Sequence, residues 1–194
     1  NQGIEVQLGA DIVRTRDFTW NVNLNLSHLK NEITKLPPMQ DQIISGTKKY
    51  MVGHSMYDFW MYEWAGVDPQ TGESLYYKGG YDDDGNYTGE GRTTVNDYTQ
   101  ADKYYVGTSI PDLYGSLGTT LSFGNLSLSV LTTFGLGGLK YDTTYGSMMS
   151  YSGYGSSLHV DMLKRWQKPG DVTTVPRADM QRNSYQNQGS RRWR

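Results

Sequence analysis

One stretch of the sequence decides the fold class, and it reads Phe18-Thr19-Trp20-Asn21-Val22-Asn23-Leu24-Asn25-Leu26-Ser27. Apolar and polar residues alternate along it without interruption. Because successive side chains of a β-strand point to opposite faces, this pattern predicts a strand with one apolar and one polar face. The stretch is about ten residues long, which is the length that a tilted strand needs to cross a lipid bilayer.

Three further segments alternate in the same way, so we predict four strands, near residues 4–12, 18–27, 113–123 and 126–136. Each has one apolar face. On the first strand this face comprises Ile4, Val6, Leu8, Ala10 and Ile12. On the last two strands it comprises Leu117, Thr119, Leu121 and Phe123, and then Leu126, Leu128, Val130, Thr132, Phe134 and Leu136.

The connections between these strands differ greatly in length. A short link near residues 14–17 joins the first two, and Gly124-Asn125, typical of a tight hairpin turn, joins the last two. Residues 28–112 and 137–194 form long loops. In an antiparallel sheet, both short turns then lie at one end and both long loops at the other. Bacterial outer-membrane barrels have this asymmetry, with short periplasmic turns and long extracellular loops.

Two features favour a membrane barrel over a soluble sandwich, whose strands also alternate. The polar faces of the last three strands carry mostly Asn, Thr, Ser and Gly, which suits the wet interior of a large barrel. Phe18, Trp20 and Phe123 lie near the short-turn end, as in an interfacial aromatic girdle. We therefore expect an all-β fold, a segment of a large antiparallel transmembrane β-barrel with long extracellular loops. The residues predicted to face lipid include Trp20, Val22, Leu24, Leu128 and Val130.

The alternative is a soluble β-rich carbohydrate-binding or adhesion module. Within the long loops, additional strands are expected around residues 43–52 and 74–78, because a loop of that length is rarely unstructured in a compact domain. Residues 82–86 predict a turn between Tyr81 and Tyr87. A short helix is expected from Ser157 to Trp166, ended by Pro169-Gly170.

The chain offers little for catalysis, and we expect neither an enzyme nor a cofactor. Its three histidines are far apart and lack the spacing of a metal-binding motif. Asp82 and Asp84 are weak candidates for a metal site, since hard cations favour clustered carboxylates, but a solvated turn is the favoured interpretation. The formal net charge of -2 gives no indication of a nucleic-acid partner. The terminal basic residues Arg191, Arg192 and Arg194 are interpreted as solvated loop residues.

Aromatic residues crowd the stretch from Tyr57 to Trp64. We predict that Tyr57, Trp60 and Trp64 bind substrate, because sugar rings stack on exposed aromatic faces through apolar contacts. The alternative is that these side chains pack the loops against each other or against a lid protein.

Four groups of residues resemble the SusC-like TonB-dependent transporters, in order and across nearly the whole chain. They are Asn1-Gln2-Gly3-Ile4-Glu5-Val6 with Phe18-Thr19-Trp20-Asn21-Val22-Asn23; Trp64-Ala65-Gly66-Val67-Asp68-Pro69-Gln70-Thr71-Gly72; Gly107-Thr108-Ser109-Ile110-Pro111-Asp112-Leu113-Tyr114-Gly115; and Leu163-Lys164-Arg165-Trp166 with Pro169-Gly170-Asp171 and Val175-Pro176-Arg177. The resemblance implies a barrel of about 22 strands that is plugged by an N-terminal domain. It also implies import of glycans or peptides across the outer membrane of a Gram-negative, Bacteroidetes-like bacterium, with a SusD-like surface lipoprotein as lid and energy from TonB.

The sequence departs from this family by omission, since it contains no recognisable plug domain, TonB box or closing strand that ends in an aromatic residue. We therefore expect residues 1–194 to be a partial barrel from the C-terminal half of such a receptor. The expected partners are the remainder of the transporter chain, outer-membrane lipid, the lipoprotein lid, the glycan or peptide substrate, and TonB through the missing plug.

Overall fold

A computed structural model describes residues 1–83, 85–150 and 155–179. The regular secondary structure of these residues is almost exclusively antiparallel β-strand, so the all-β prediction is confirmed. The strands are β1 (Gln2–Arg14), β2 (Phe18–Lys30), β3 (Ile43–Ser45), β4 (Lys48–Tyr50), β5 (Asp58–Tyr62), β6 (Trp64–Val67), β7 (Ser74–Lys78), β8 (Thr93–Val95), β9 (Lys103–Thr108), β10 (Leu113–Phe123) and β11 (Leu126–Leu136). The chain divides into two compact units, Asn1–Asp58 with Gly107–Leu139 and Phe59–Val106 with Lys140–Arg194.

The first unit contains a four-stranded antiparallel sheet in the order β1-β2-β10-β11. These four strands coincide with the four alternating segments of the sequence. The register aligns apolar residues in rows across the sheet: Leu24 of β2 pairs with Leu8 of β1 and with Leu117 of β10. Because side chains directly opposite each other share a face, the alternation of each strand becomes one apolar face and one polar face of the whole sheet.

A β-bulge interrupts this order near the end of β1. The pairing of β1 with β2 shifts between Asp11 and Val13, so that Val13 rather than Ile12 lies opposite Trp20. Strict alternation predicts Ile12 in that row. The bulge inserts one extra residue into β1 and moves the rest of the strand by one position.

Both short turns lie at one end of the sheet, as the connections predict. Thr15 and Phe18 close the link between β1 and β2, where the Thr15 amide donates to the Phe18 carbonyl over 2.8 Å. Gly124 has a φ of 55° while Asn125 keeps an ordinary φ, which is the pattern of a type II′ hairpin turn between β10 and β11. The Gly124 amide also donates to the Asp17 carbonyl over 3.0 Å, so the two turns are joined.

The remaining strands are short. β3 and β4 form a hairpin within the predicted region 43–52, and β7 has the predicted bounds. β5 pairs with β9, and β6, β7 and β8 form a three-stranded sheet. The helix expected from Ser157 to Trp166 is reduced to a 3₁₀ turn, Val160–Lys164.

Two other short helical segments were not predicted: the α-helix Thr143–Met148 and the 3₁₀ turn Tyr98–Gln100. Among the described residues, no helix is long and apolar enough to span a membrane. Buried residues are concentrated in the second unit. Its small core consists of Met149, Met162 and Val175, with Tyr145 and Leu158 packed against it.

Candidate functional site

The apolar face of the four-stranded sheet carries all five residues predicted to face lipid. Val22 and Val130 lie in one row on either side of Thr119, and Trp20 and Leu128 lie in the next row on either side of Leu121. The face is exposed rather than covered: Leu128 is 59% exposed and Leu8 57%. An apolar face that spans four strands and stays open indicates a surface made to contact something apolar.

A polar contact lies among the aliphatic residues of this face. The indole Nε1 of Trp20 donates a hydrogen bond to the Thr119 hydroxyl over 2.8 Å. The contact accounts for a threonine in a row of aliphatic residues, because it gives the indole N–H an acceptor where few others exist. It also holds the Trp20 ring across the boundary between β2 and β10.

The polar face of the sheet consists mainly of amides and hydroxyls that bond to each other. Asn25 donates to Ser116 over 3.0 Å, and Thr120 and Ser129 share a hydrogen bond of 3.0 Å. Asn21 donates to the Asp11 carboxylate over 2.9 Å. Leu131 is the clearest exception to the polar pattern and is 72% exposed. This face can contact water or polar solutes without burying a charge.

A cleft of about 250 Å³ lies at the long-loop end of the first unit. Its lining includes the end of β2 around His28 and Lys30, together with Asp58 and the segment from Thr108 to Asp112. His28 contacts the Asp112 carbonyl through Nδ1 over 2.6 Å. The segment that follows β9 is one of the groups that carry the family resemblance, and here it closes one side of the cleft.

The three predicted substrate-binding aromatics belong to different units of the chain. Tyr57 belongs to the first unit and is 42% exposed. Its carbonyl accepts a hydrogen bond from the Lys48 ammonium over 2.6 Å, and burial lowers the pKa of Lys48. Trp60 and Trp64 belong to the second unit, where Trp60 makes an edge-to-face contact with Tyr105 at 4.8 Å. Trp64 begins β6 and pairs with the buried Tyr76.

The second unit also contains a cluster of tyrosines around Arg92 that the sequence did not single out. The Arg92 guanidinium lies 3.8 Å from the ring centroid of Tyr77 and 4.8 Å from that of Tyr104. Its Nη2 donates to Glu63 over 2.8 Å. The Tyr104 ring in turn stacks on Tyr81 at 5.7 Å. Burial, together with the nearby Tyr104 and Asp102, raises the pKa of Tyr81 to about 12.

No local sequence pattern predicts this cluster, because its members come from separate strands and loops. The Arg92 charge is held by one carboxylate and by aromatic faces, which is a stabilising arrangement for a guanidinium. Through Tyr104 the cluster contacts Tyr81 and Tyr87, which pair with each other.

The acidic turn does not form a metal site among the described residues. Asp82 instead accepts a hydrogen bond from the Asn86 amide over 2.7 Å, and Tyr81 and Tyr87 pair on either side of the turn. Asp84 lies outside the described residues, as do Arg191, Arg192 and Arg194. The Asp82 carboxylate thus stabilises the turn through the backbone of Asn86.

Comparison with known proteins confirms the resemblance to TonB-dependent transporters. TonB-dependent receptor P3 of Formosa agariphila is 23% identical over 197 residues, which cover 91% of this chain and 18% of the receptor. The structure titled the RagAB peptide transporter matches with a TM-score of 0.76 and 23% identity, over 90% of this chain and 19% of that chain.

The RagAB peptide importer in its closed-closed state matches with a TM-score of 0.70 and 21% identity, over 90% of this chain and 20% of that chain. No family model matches the chain. The chain therefore spans about a fifth of the length of these relatives. At these identities, the structural matches establish a shared fold.

Proposed function

We propose that this chain is part of the barrel wall and extracellular loops of an outer-membrane transporter that imports nutrients with energy from TonB. In this proposal the four-stranded sheet is wall, with its apolar face against lipid and its polar face toward the lumen. The long segments after β2 and β11 extend outside the cell, as long barrel loops do. The multi-pass barrel would be completed by strands of the remaining transporter chain.

The observation that carries the proposal is the two-faced sheet. A membrane barrel needs apolar residues outward and polar residues inward on every strand. Here the rows through Leu24 and Val22 keep the apolar residues of four strands on one side, while amides and hydroxyls bond along the other. In a soluble sandwich, the apolar face would pack against a second sheet. Leu8, Leu117 and Leu128 are exposed on this face, and the proposal assigns lipid as their contact.

The finer proposal concerns substrate and partners. We propose that the substrate is a glycan or a peptide, that a SusD-like surface lipoprotein closes the extracellular side, and that TonB acts through a plug domain. The relatives' names support a TonB-linked receptor and, for RagAB, a peptide transporter. Tyr57, Trp60 and Trp64 are the proposed contacts to substrate, because aromatic faces bind sugar rings and apolar peptide side chains alike.

The proposal predicts that the long loops lie outside the cell and the short turns on the periplasmic side of the outer membrane, and this can be tested. The chain contains no cysteine. A single cysteine can therefore be introduced in a full-length transporter from which any other cysteines have been removed. On intact cells, a membrane-impermeant maleimide should label Asp83→Cys in the hairpin loop and should not label Asn125→Cys in the short turn. Asn125→Cys should become reactive after the outer membrane is permeabilised.

Equal labelling of both positions on intact cells would contradict the proposed orientation. Uptake of maltohexaose and of a tryptic digest of casein, each measured with and without a functional TonB, tests the transport step. Loss of uptake without TonB is the expected result. Uptake that does not depend on TonB would refute active transport by this route.

A further inference from the structure

Two of the sequence groups that resemble the transporter family contact each other in the second unit. One is the turn between β6 and β7, residues 68–73, which we call the Asp68 turn. The other is the segment 163–177, about a hundred residues further along the chain. Their contacts involve backbone carbonyls, an indole ring and a guanidinium.

The Asp68 turn is ordered first by its own side chains. The Asp68 carboxylate accepts hydrogen bonds from the Gln70 amide over 2.8 Å and from the Thr71 hydroxyl over 2.9 Å. These bonds hold the pKa of Asp68 below its ordinary value, with the Gln70 amide the larger cause. The turn therefore has a defined shape and presents the carbonyls of Pro69, Thr71 and Gly72 outward.

The segment 163–177 binds each of these three carbonyls. Trp166 donates from its indole Nε1 to the Pro69 carbonyl over 2.9 Å, and the Gly170 amide donates to the same oxygen over 2.8 Å. Arg177 reaches the other two: its amide donates to Gly72 over 2.8 Å and its Nη1 to Thr71 over 3.1 Å. We call Trp166, Gly170 and Arg177 the clasp.

Gly72 permits this contact in two ways. Its φ of +72° is a left-handed conformation that other residues adopt at a cost. A Cβ at this position would lie 2.5 Å from Cδ2 and Cε3 of the Trp166 indole, so the ring occupies the space that a side chain would need. The ring packs directly on the backbone of the turn because residue 72 is glycine.

Glu73 extends the clasp to the three-stranded sheet. Its carboxylate accepts a hydrogen bond from Arg177 Nη2 over 3.3 Å and from the Asn96 side-chain amide over 2.5 Å, just beyond β8. The Glu73 side chain is 13% exposed and that of Arg177 34%. Arg177 is thus connected through Glu73 to the end of β8, and it contacts Asp179 directly over 3.1 Å.

We propose that Trp166 and Arg177 are positioning residues that fix the β6–β7 hairpin and, with it, Trp64 at the start of β6. The inference rests on the proposed function, in which Trp64 contacts substrate. A ring held in place before the substrate arrives binds more tightly than one that must be ordered on binding, since ordering costs conformational entropy. The clasp supplies this order through its hydrogen bonds to the Asp68 turn, which ends β6.

The test uses the full-length transporter in three variants. Arg177→Ala removes the guanidinium contacts to Thr71, Glu73 and Asp179. Arg177→Lys keeps the charge but loses the two-pronged geometry. Lys168→Ala is the matched control, because it removes a nearby positive charge that makes no side-chain contact to the Asp68 turn. A spin label on Gln70→Cys, whose own side chain is exposed, reports the mobility of the turn. Uptake of maltohexaose and of a tryptic casein digest gives KM and maximal rate.

We expect Arg177→Ala to mobilise the label and to raise KM about threefold to tenfold. This is the loss of affinity expected when one or two side chains must be ordered on binding. The maximal rate and the amount of folded barrel should not change. Arg177→Lys should have an intermediate effect on both readouts, and Lys168→Ala should have none.

The inference is overturned if the label stays equally immobile in Arg177→Ala, or if it becomes mobile while KM is unchanged. Uptake of neither probe by the unsubstituted transporter would contradict the proposed substrate classes, and the label alone would then decide whether the clasp orders the turn. Gly72→Ala gives an independent check, since its Cβ displaces Trp166 without altering any charge.

Discussion

The assignment of the two sheet faces can be tested on neighbouring residues of β11. Leu128 and Ser129 are adjacent in the chain and point to opposite faces, so they form a matched pair. Leu128 lies opposite Leu121 on the apolar face and is 59% exposed. Ser129 lies opposite Thr120 on the polar face and shares a 3.0 Å hydrogen bond with its hydroxyl.

The two arginine substitutions should differ in cost by several-fold. Arginine near the bilayer midplane on the outside of a barrel costs about 2–4 kcal/mol. Ser129→Arg loses one hydrogen bond between side chains, worth about 0.5–1.5 kcal/mol, while its charge remains in water. We therefore expect Leu128→Arg to impair folding into lipid and Ser129→Arg to be tolerated.

The assay is refolding of the full-length transporter into lipid vesicles, scored by the gel shift that folded barrels show before heating. Leu128→Ala separates lipid from a protein core. In a core it would leave a cavity and cost about 2–5 kcal/mol. Against fluid lipid no cavity remains, so we expect a clearly smaller loss. Greater damage from Ser129→Arg than from Leu128→Arg would show that the faces are inverted.

Three other predictions follow from individual contacts. Thr119→Val should destabilise the folded barrel by about 0.5–1.5 kcal/mol and change the emission of Trp20, whereas Thr119→Ser should preserve both, as measured by denaturant titration and fluorescence. Arg92→Lys should increase hydrogen exchange of β7 and β8, because an ammonium cannot both stack on Tyr77 and reach Glu63 as the guanidinium does. Unchanged exchange would show that the Arg92 contacts do not stabilise these strands. Hydrogen bonds from Lys164 and Tyr145 lower the pKa of Asp161. Its carboxylate therefore stabilises the turn Val160–Lys164 above the ordinary pKa of aspartate, and this stabilisation is lost as the pH falls through the lowered pKa. Hydrogen exchange of the turn should show this pH dependence in the unsubstituted protein and lack it in Asp161→Asn.

The four long strands could be predicted because their signal is local. Alternation in the stretch around Leu24 requires only that neighbouring side chains point to opposite faces, and the lengths of the connections then give the antiparallel order. The bulge at Ile12 could not be read in this way, since the apolar pattern Ile12-Val13 is compatible with either residue facing Trp20. The helix at Val160–Lys164 was overestimated because Leu158, Met162 and Trp166 are apolar for different reasons: Leu158 and Met162 pack in the small core, and Trp166 contacts Pro69.

The contacts that organise the second unit could not be predicted in this way, because they join residues that are far apart in the chain. Arg92 meets Tyr77, Tyr104 and Glu63 from different parts of the chain, and Trp166 meets Gly72 across about a hundred residues. No periodicity connects such partners. The sequence nevertheless marked both halves of the Trp166–Gly72 contact as family motifs without indicating why. The geometry supplies the reason, because a glycine is needed where the indole lies against the backbone.

Thr119 shows why a departure from a hydropathy pattern can support the interpretation that it seems to weaken. By its hydropathy alone, a threonine in the row of Val22 and Val130 argues against a lipid-facing surface. Its hydroxyl, however, is the acceptor for the Trp20 indole N–H. On the side of the interface that faces the hydrocarbon, water is scarce, and an unsatisfied polar group in hydrocarbon costs several kcal/mol. A tryptophan that faces lipid therefore benefits from one polar neighbour, and the pair Trp20–Thr119 meets this need within the sheet itself. In water the indole would find an acceptor without Thr119, so the pair is expected on a lipid-facing surface more than on a solvent-facing one.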